Sequence, residues 1–248
     1  SDVFLSLDVT GVDVPGARRA PVNLSLVIDR SGSMSGEKII HARRAAQALV
    51  DQLDEHDRLA VIHFGNDVVV YPGAFVTDDA KRRIKGFIAR IQEEGGTNIG
   101  DGLVAGKAQL DKGRTDFKVN RLILRSAGQP TVGITSSAGL TRIAQRFHSD
   151  NTTVTSIGVG LDFNEDLMQR LAEVGGGSYA YLQRSTAIAS IFERDLKQAG
   201  ASVARDVTLS LTLPSGVRFG EVLGRPATAT GNTVSIALPD FSAGQVEK

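Results

Sequence analysis

Residues 22–33 read Val-Asn-Leu-Ser-Leu-Val-Ile-Asp-Arg-Ser-Gly-Ser, an apolar run that stops at an acid and then alternates hydroxyls with other residues. The stretch Leu24 to Ile28 is too short for a helix and bounded by turn chemistry, so it reads as a buried strand. A helix is expected to begin near Gly36, because Ile39, Ile40, Arg43, Ala46, Leu49, Val50 and Leu53 recur on one face. Strand, polar turn and helix in that order are the opening of an open α/β sheet, with the turn at the carboxyl edge where ligands gather.

The same grammar continues outward. Strands are predicted at Asn23 to Ile28, Leu59 to Phe64, Arg121 to Leu124 and Thr153 to Val159, with weaker ones at Val68 to Tyr71 and Ser178 to Leu182. Leu140, Ile143, Ala144 and Phe147 mark a further helix. Asp162 with Glu165 three residues on resembles a capping box, for a helix running through Leu171 to the glycines at 175–177. Ser185 can cap a last helix carrying Ile188, Ile191, Phe192 and Leu196. The expected fold is therefore α/β and Rossmann-like, a mostly parallel central sheet with helices on both faces.

After Gly200 the period changes to two. Val207, Leu209, Leu211 and Leu213 alternate with Thr208, Ser210 and Thr212, as in a half-buried antiparallel strand. Pro214-Ser215-Gly216 suits a turn into a strand at Val217 to Val222, and Gly231-Asn232 suits a hairpin before Val234, Ile236 and Leu238. Val3, Leu5, Leu7 and Val9 alternate in the same way, so both termini are expected to share a small antiparallel β-sheet or sandwich. The expected division is an α/β domain over 21–201 with an accessory β domain from 1–20 and 202–248.

Bulk composition narrows the function classes. The 248 residues are 41% hydrophobic and 23% charged, ordinary for a globular protein with a proper core. Lysine plus arginine equals aspartate plus glutamate at 28 each, so no global field recruits nucleic acid. The absence of cysteine removes disulfides, thiolate metal sites and cysteine nucleophiles together. No stretch approaches the length of a membrane span, and residues 1–7 lack the form of a signal peptide. The expected location is the cytoplasm, or outside it or at the cell surface where a leader has been removed.

Two segments could carry chemistry. Asp29, Ser31 and Ser33 offer one carboxylate and two hydroxyls at alternating positions, a hard oxygen set suited to Mg²⁺. The pattern is equally a good strand-to-helix turn. The loop Glu94-Gly-Gly-Thr-Asn-Ile-Gly100 could bring a third hydroxyl, that of Thr97, although such a loop is turn chemistry anywhere.

Taken together, Asp29-x-Ser31-x-Ser33 after the first core strand, Thr97 in its Gly-Gly-Thr-Asn loop and Arg121-Leu-Ile-Leu-Arg-Ser-Ala-Gly-Gln-Pro resemble the von Willebrand factor A (VWA) family. Ser156-Ile-Gly-Val-Gly, Asn164-Glu-Asp-Leu-Met and Gly175-Gly-Gly-Ser-Tyr look like the end of that domain in bacterial members, so the resemblance runs from about Pro21 to Ala201. It implies a metal-ion-dependent adhesion site in which Ser31, Ser33 and Thr97 hold Mg²⁺, or Mn²⁺ or Ca²⁺, with Asp29 acting directly or through water. It also implies a protein partner that offers an acidic residue to the metal, with Met34, Asn98 and Gln129 around the loops as partner-binding residues. The family pattern calls for an aspartate in a Ser-Asp-Gly setting after the fourth strand, and this chain has Ala127 there. An alanine supplies neither charge nor ligand, so metal binding is expected to be weak or absent. Asp101 could compensate, although an acid facing water at a helix start is the commoner role. Arg125 could approach Asp29 in place of the cation, but the expectation is that it snorkels to solvent at the strand end.

Three readings of function follow: a metal-dependent binding module weakened at Ala127, a metal-independent scaffold with a vestigial site, and a divalent-metal phosphotransferase or hydrolase. The enzyme reading is disfavoured. Ser31 stands where a second aspartate would be needed, Met34 occupies the nucleophile place of a would-be hydrolase elbow, and no P-loop lysine follows. His41, His56, His63 and His148 are scattered without paired spacing.

Overall fold

A computed structural model of the protein describes residues 4–12, 20–127, 129–159, 164–182, 202–204, 207–222, 227–238, 241–242 and 246–247. The chain divides into two compact units, Ser1–Arg19 with Leu196–Lys248, and Ala20–Asp195. The first opens with the short strand β1 (Val9–Thr10), and the second carries the candidate site.

The larger unit runs β2 (Val22–Asp29), a 3-10 turn (Gly32–Met34), α1 (Glu37–Gln52), β3 (Arg58–Phe64), β4 (Val68–Phe75), α2 (Asp78–Ala89), α3 (Ile99–Asp111), β5 (Val119–Ser126), α4 (Ser137–Ser149), β6 (Thr153–Val159), α5 (Glu165–Val174) and β7 (Gly176–Leu182). Its six strands lie in the order β4-β3-β2-β5-β6-β7, all parallel except the edge strand β4. Every residue of β2 is buried, as a central strand covered on both faces requires. On one face, Val27, Ile62, Phe64, Leu122 and Leu124 pack against Ile99, Leu103 and Leu110 of α3, Leu140 and Ile143 of α4, and Leu167 and Leu171 of α5. The alternate positions, Leu24, Leu26, Ile28, Val61 and Ile123, face the other way, the side covered by α1 and α2.

Several boundaries differ from the sequence expectation for identifiable reasons. β4 runs on to Phe75 through Pro72 and Gly73, because the strand is at the sheet edge and its register shifts there, which tolerates proline. The helix α2 was not anticipated. Thr77 caps it by accepting from the Ala80 amide, and Asp78 and Asp79 favour its positive end. The cap of α5 is Asn164, whose side chain accepts from the Leu167 amide, and the helix starts only at Glu165, so Glu165 is not the third residue of a capping box. Asp162, Ser185, Ile188, Ile191, Phe192 and Leu196 lie outside the described residues, as do Val3 and Gly128.

In the smaller unit, β9 (Thr208–Thr212), β10 (Ala227–Thr230) and β11 (Thr233–Ala237) form an antiparallel sheet in the order β10-β11-β9. The turn at Gly231-Asn232 joins β10 to β11 with Thr230 opposite Thr233, and Gly231 has the positive φ of 62° that such a turn needs. Residues 217–222 form no strand, correcting that expectation; the turn at Ser215-Gly216 leads into irregular chain. β1 pairs antiparallel with β13 (Val246–Glu247), and β8 (Ser202–Ala204) with β12 (Phe241–Ser242). Phe4, Leu5 and Leu7 are exposed and outside any strand, so the N-terminal alternation yields a strand only at its end.

Candidate binding edge

The strand order reverses between β2 and β5, since the chain leaves β2 toward β3 on one side and returns to β5 on the other. At such a switch point the loops part and leave a crevice at the carboxyl ends of the strands. Asp29, the last residue of β2, and Ser126, the last residue of β5, meet there. Val27 is in register with Leu124 on the face covered by α3, so two residues further on Asp29 and Ser126 share that face.

Asp29 is wholly buried, at 0% exposure, and its carboxylate is well supplied with donors. The Ser31 amide donates to Oδ1 at 2.8 Å, the Ser126 hydroxyl to Oδ2 at 2.6 Å and the Ala127 amide to Oδ2 at 3.3 Å. Above it, the Ser31 and Ser33 hydroxyls lie 2.9 Å apart, with Ser31 buried and Ser33 exposed.

The loop that carries Thr97 is tied to this turn by main-chain bonds. The Gly32 amide donates to the Gly95 carbonyl at 3.0 Å and the Glu94 amide to the Arg30 carbonyl at 2.7 Å. Gly95 makes this crossing at φ 74°, a conformation that favours glycine. Thr97 is buried, its amide donating to the Thr131 hydroxyl at 2.9 Å and its carbonyl accepting from the Thr131 amide at 3.0 Å. Arg30 braces the assembly from the side, its buried guanidinium paired with Glu94 at 3.0 Å and with Asp67. Sequence reasoning missed Arg30, Ser126 and Thr131. In the sequence Ser126 reads only as the frame for Ala127, and nothing local marks Thr131 or pairs an arginine with acids 37 and 64 residues away.

Two expected partner-binding residues are buried instead. Met34 has 0% exposure because the 3-10 turn drives its side chain into the core. Asn98 is buried as the cap of α3, its Oδ1 accepting from the Asp101 amide and its Nδ2 donating to the Asp101 carboxylate at 2.7 Å. Gln129 is exposed and accepts from Asn164 Nδ2 at 2.8 Å. Asp101 faces solvent in the first turn of α3.

Arg125 does not reach solvent, correcting that expectation. It is 3% exposed, and its Nε and Nη1 have no hydrogen-bond partner among the described residues. Its register partner is Ile28, one residue before Asp29, and both neighbours of the β5 position are buried strand residues. Burial pushes its pKa down to about 9, and the charge of Asp29 pulls it back up. At neutral pH the group is still a cation.

A divalent cation can be tested against these residues. The oxygen spacing fits, because neighbouring ligands of a Mg²⁺ ion at about 2.1 Å lie about 2.9 Å apart. The charge does not fit. The carboxylate accepts three hydrogen bonds, Ala127 is buried at 1% exposure where a second acid would stand, and a buried guanidinium lies nearby. Among the described residues no three acidic or histidine side chains converge to hold a metal.

The family model for the von Willebrand factor type A domain matches residues 23–194. Protein YfbK of Escherichia coli (strain K12) is 29% identical over 207 residues, covering 82% of this chain and 36% of that one. The solved von Willebrand factor type A structure from Catenulispora acidiphila superposes with a TM-score of 0.68 at 20% identity, over 92% of this chain and 56% of that one. Proximal thread matrix protein 1 from the mussel byssus, with zinc in its adhesion motif, superposes with a TM-score of 0.54 at 20% identity, over 72% of this chain and 45% of that one. This chain thus spans little more than a third of its bacterial relative and about half of each solved structure.

Proposed function

The chain belongs to the von Willebrand factor type A family, and from that premise we propose that it is a protein-binding module rather than a catalyst, its partner docking on the carboxyl edge of the six-stranded sheet. Domains of this family are commonly metal-dependent interaction modules. The observation that carries the reading here is the set of main-chain bonds joining three separate segments, 30–32, 94–97 and 131–132, into one edge. An edge held by backbone is preorganised, so little entropy is lost when a partner docks.

The chemistry of that edge suits an acidic group on the partner. When Ser31 and Ser33 share one hydrogen bond, the pair retains one hydroxyl hydrogen to donate outward, and a carboxylate is the strongest acceptor a protein offers. The buried cation of Arg125 offsets the negative charge of Asp29 beneath these hydroxyls, so the edge does not repel an acidic group. A divalent ion accepting the partner's carboxylate is the family's commoner arrangement, and the charge mismatch at Ala127 and Arg125 argues against it here.

The test is to capture partners on the immobilised chain and map their contacts by cross-linking mass spectrometry. Cross-links are expected at 31–33, 94–97 and 129–134. Ser31→Ala/Ser33→Ala/Thr97→Ala should abolish capture, whereas Lys112→Ala/Thr115→Ala, at the exposed opposite edge, should leave it unchanged. Contacts that map to the opposite edge would refute the reading.

A further inference from the structure

We infer that Arg125 is the resident positive charge of this edge and excludes a divalent cation from it, so that the site works without metal. The family's arrangement balances two acids against a doubly charged ion. Here two charges differ from that arrangement together: Ala127 removes one negative charge, and two residues earlier Arg125 introduces one positive charge. Asp29 and Arg125 are both buried, and they sum to zero with no ion present. A divalent ion added above Asp29 would leave an excess of two positive charges in an interior that screens them poorly.

Arg125 acts by charge and not by occupying the ligand position. Asp29 points to the face covered by α3, while Arg125 alternates to the other face, with Ile123. No hydrogen bond saturates its Nε or Nη1, so the described residues do not spread its charge into a local network, and Asp29 is the group that stabilises its charged form. Asp29 is held in turn by Ser31, Ser126 and Ala127, which fix the carboxylate in place without a metal to orient it. Restoring the acid at 127 alone would leave the buried cation in place, so both positions must change before the edge regains a metal site.

The inference rests on the reading of this edge as the binding face, yet its test uses Mn²⁺ alone, so it can fail while that reading stands. Mn²⁺ binding is measured by calorimetry on the full chain and on Ala127→Asp, Arg125→Gln/Ala127→Asp and Arg125→Met/Ala127→Asp, with folding checked by circular dichroism. The unmodified chain is expected to bind no tighter than about 1 mM, and Ala127→Asp to gain less than about tenfold. Either double variant should gain at least about a hundredfold over the unmodified chain, and lose it on Ser31→Ala. Binding by the unmodified chain tighter than about 1 mM that disappears with Ser31→Ala would overturn the inference. So would a folded double variant that binds no better than Ala127→Asp. The glutamine retains polarity and the methionine retains apolar bulk, so one of the pair tests the charge if the other fails to fold.

Discussion

The Ser126 hydroxyl donates to Asp29 Oδ2 at 2.6 Å, joining the last residues of two neighbouring parallel strands whose chain segments are 97 residues apart. This bond stitches the crevice at the switch point, and the Ser31 and Ala127 amides complete the shell of the carboxylate. Asp29→Asn keeps the shape but presents an amide hydrogen to groups that are themselves donors. The loss is expected to be about 2–4 kcal/mol in urea unfolding at neutral pH, against about 1–2 kcal/mol for Ser126→Ala. An Asp29→Asn variant as stable as the parent would show that the carboxylate serves no structural role.

Helix α3 lies close on the sheet because it carries glycine where it crosses Phe64. A Cβ on Gly102 would come within 2.6 Å of the Phe64 ring, which is itself fully buried. Gly102→Ala gains helix propensity of about 1 kcal/mol but overpacks this contact, so a net loss of about 1–2 kcal/mol is expected. Since the loop holding Thr97 enters this helix, the variant should also shift the amide resonances of 95–98. Unchanged resonances would mean that the ring moves aside and the loop is indifferent to it.

Arg30 has a side chain only 7% exposed, while its partners Asp67 and Glu94 are 67% and 79% exposed. Solvent screens both pairs, so Arg30→Met should cost only about 1 kcal/mol globally. The local effect should be larger. Amide exchange at Gly32 and Glu94 is expected to rise by about tenfold, because the brace between the two loops is gone. Equal exchange in the two proteins would assign the rigidity of the edge to its main-chain bonds alone.

His63 packs beside Phe87, with ring centroids 5.3 Å apart. Burial, assisted by the charge of Arg30 and opposed by that of Asp67, lowers its pKa to about 4. The unfolded chain therefore takes up this proton first as the pH falls. The contribution to stability is full above about pH 6.5 and declines toward pH 4, where the folded state also protonates. His63→Leu should flatten this part of the acid limb, raising Tm at pH 5 relative to the parent by about 2–4 °C after any shift at pH 7.5 is subtracted. An identical difference at both pH values would remove His63 from the acid response.

The amino-acid order alone was enough for the α/β class, most core strands and the location of the acid and hydroxyls at the sheet's carboxyl edge. Those features are local: the two-residue and 3.6-residue periods, the turn after Ile28 and the glycines at 95 and 96 are each written within a dozen positions. What Arg125, Met34 and Asn98 do was not local. Arg125 could snorkel or be buried, and only its place in the assembled sheet, between the buried Ile28 and Ile157, decided the matter. Met34 and Asn98 looked like loop-tip residues, and the 3-10 turn and the cap of α3 turned both inward. The partners of the Asp29 carboxylate likewise come from β5, a neighbour in space and not in sequence, so they became visible only once the sheet brought the strand ends together.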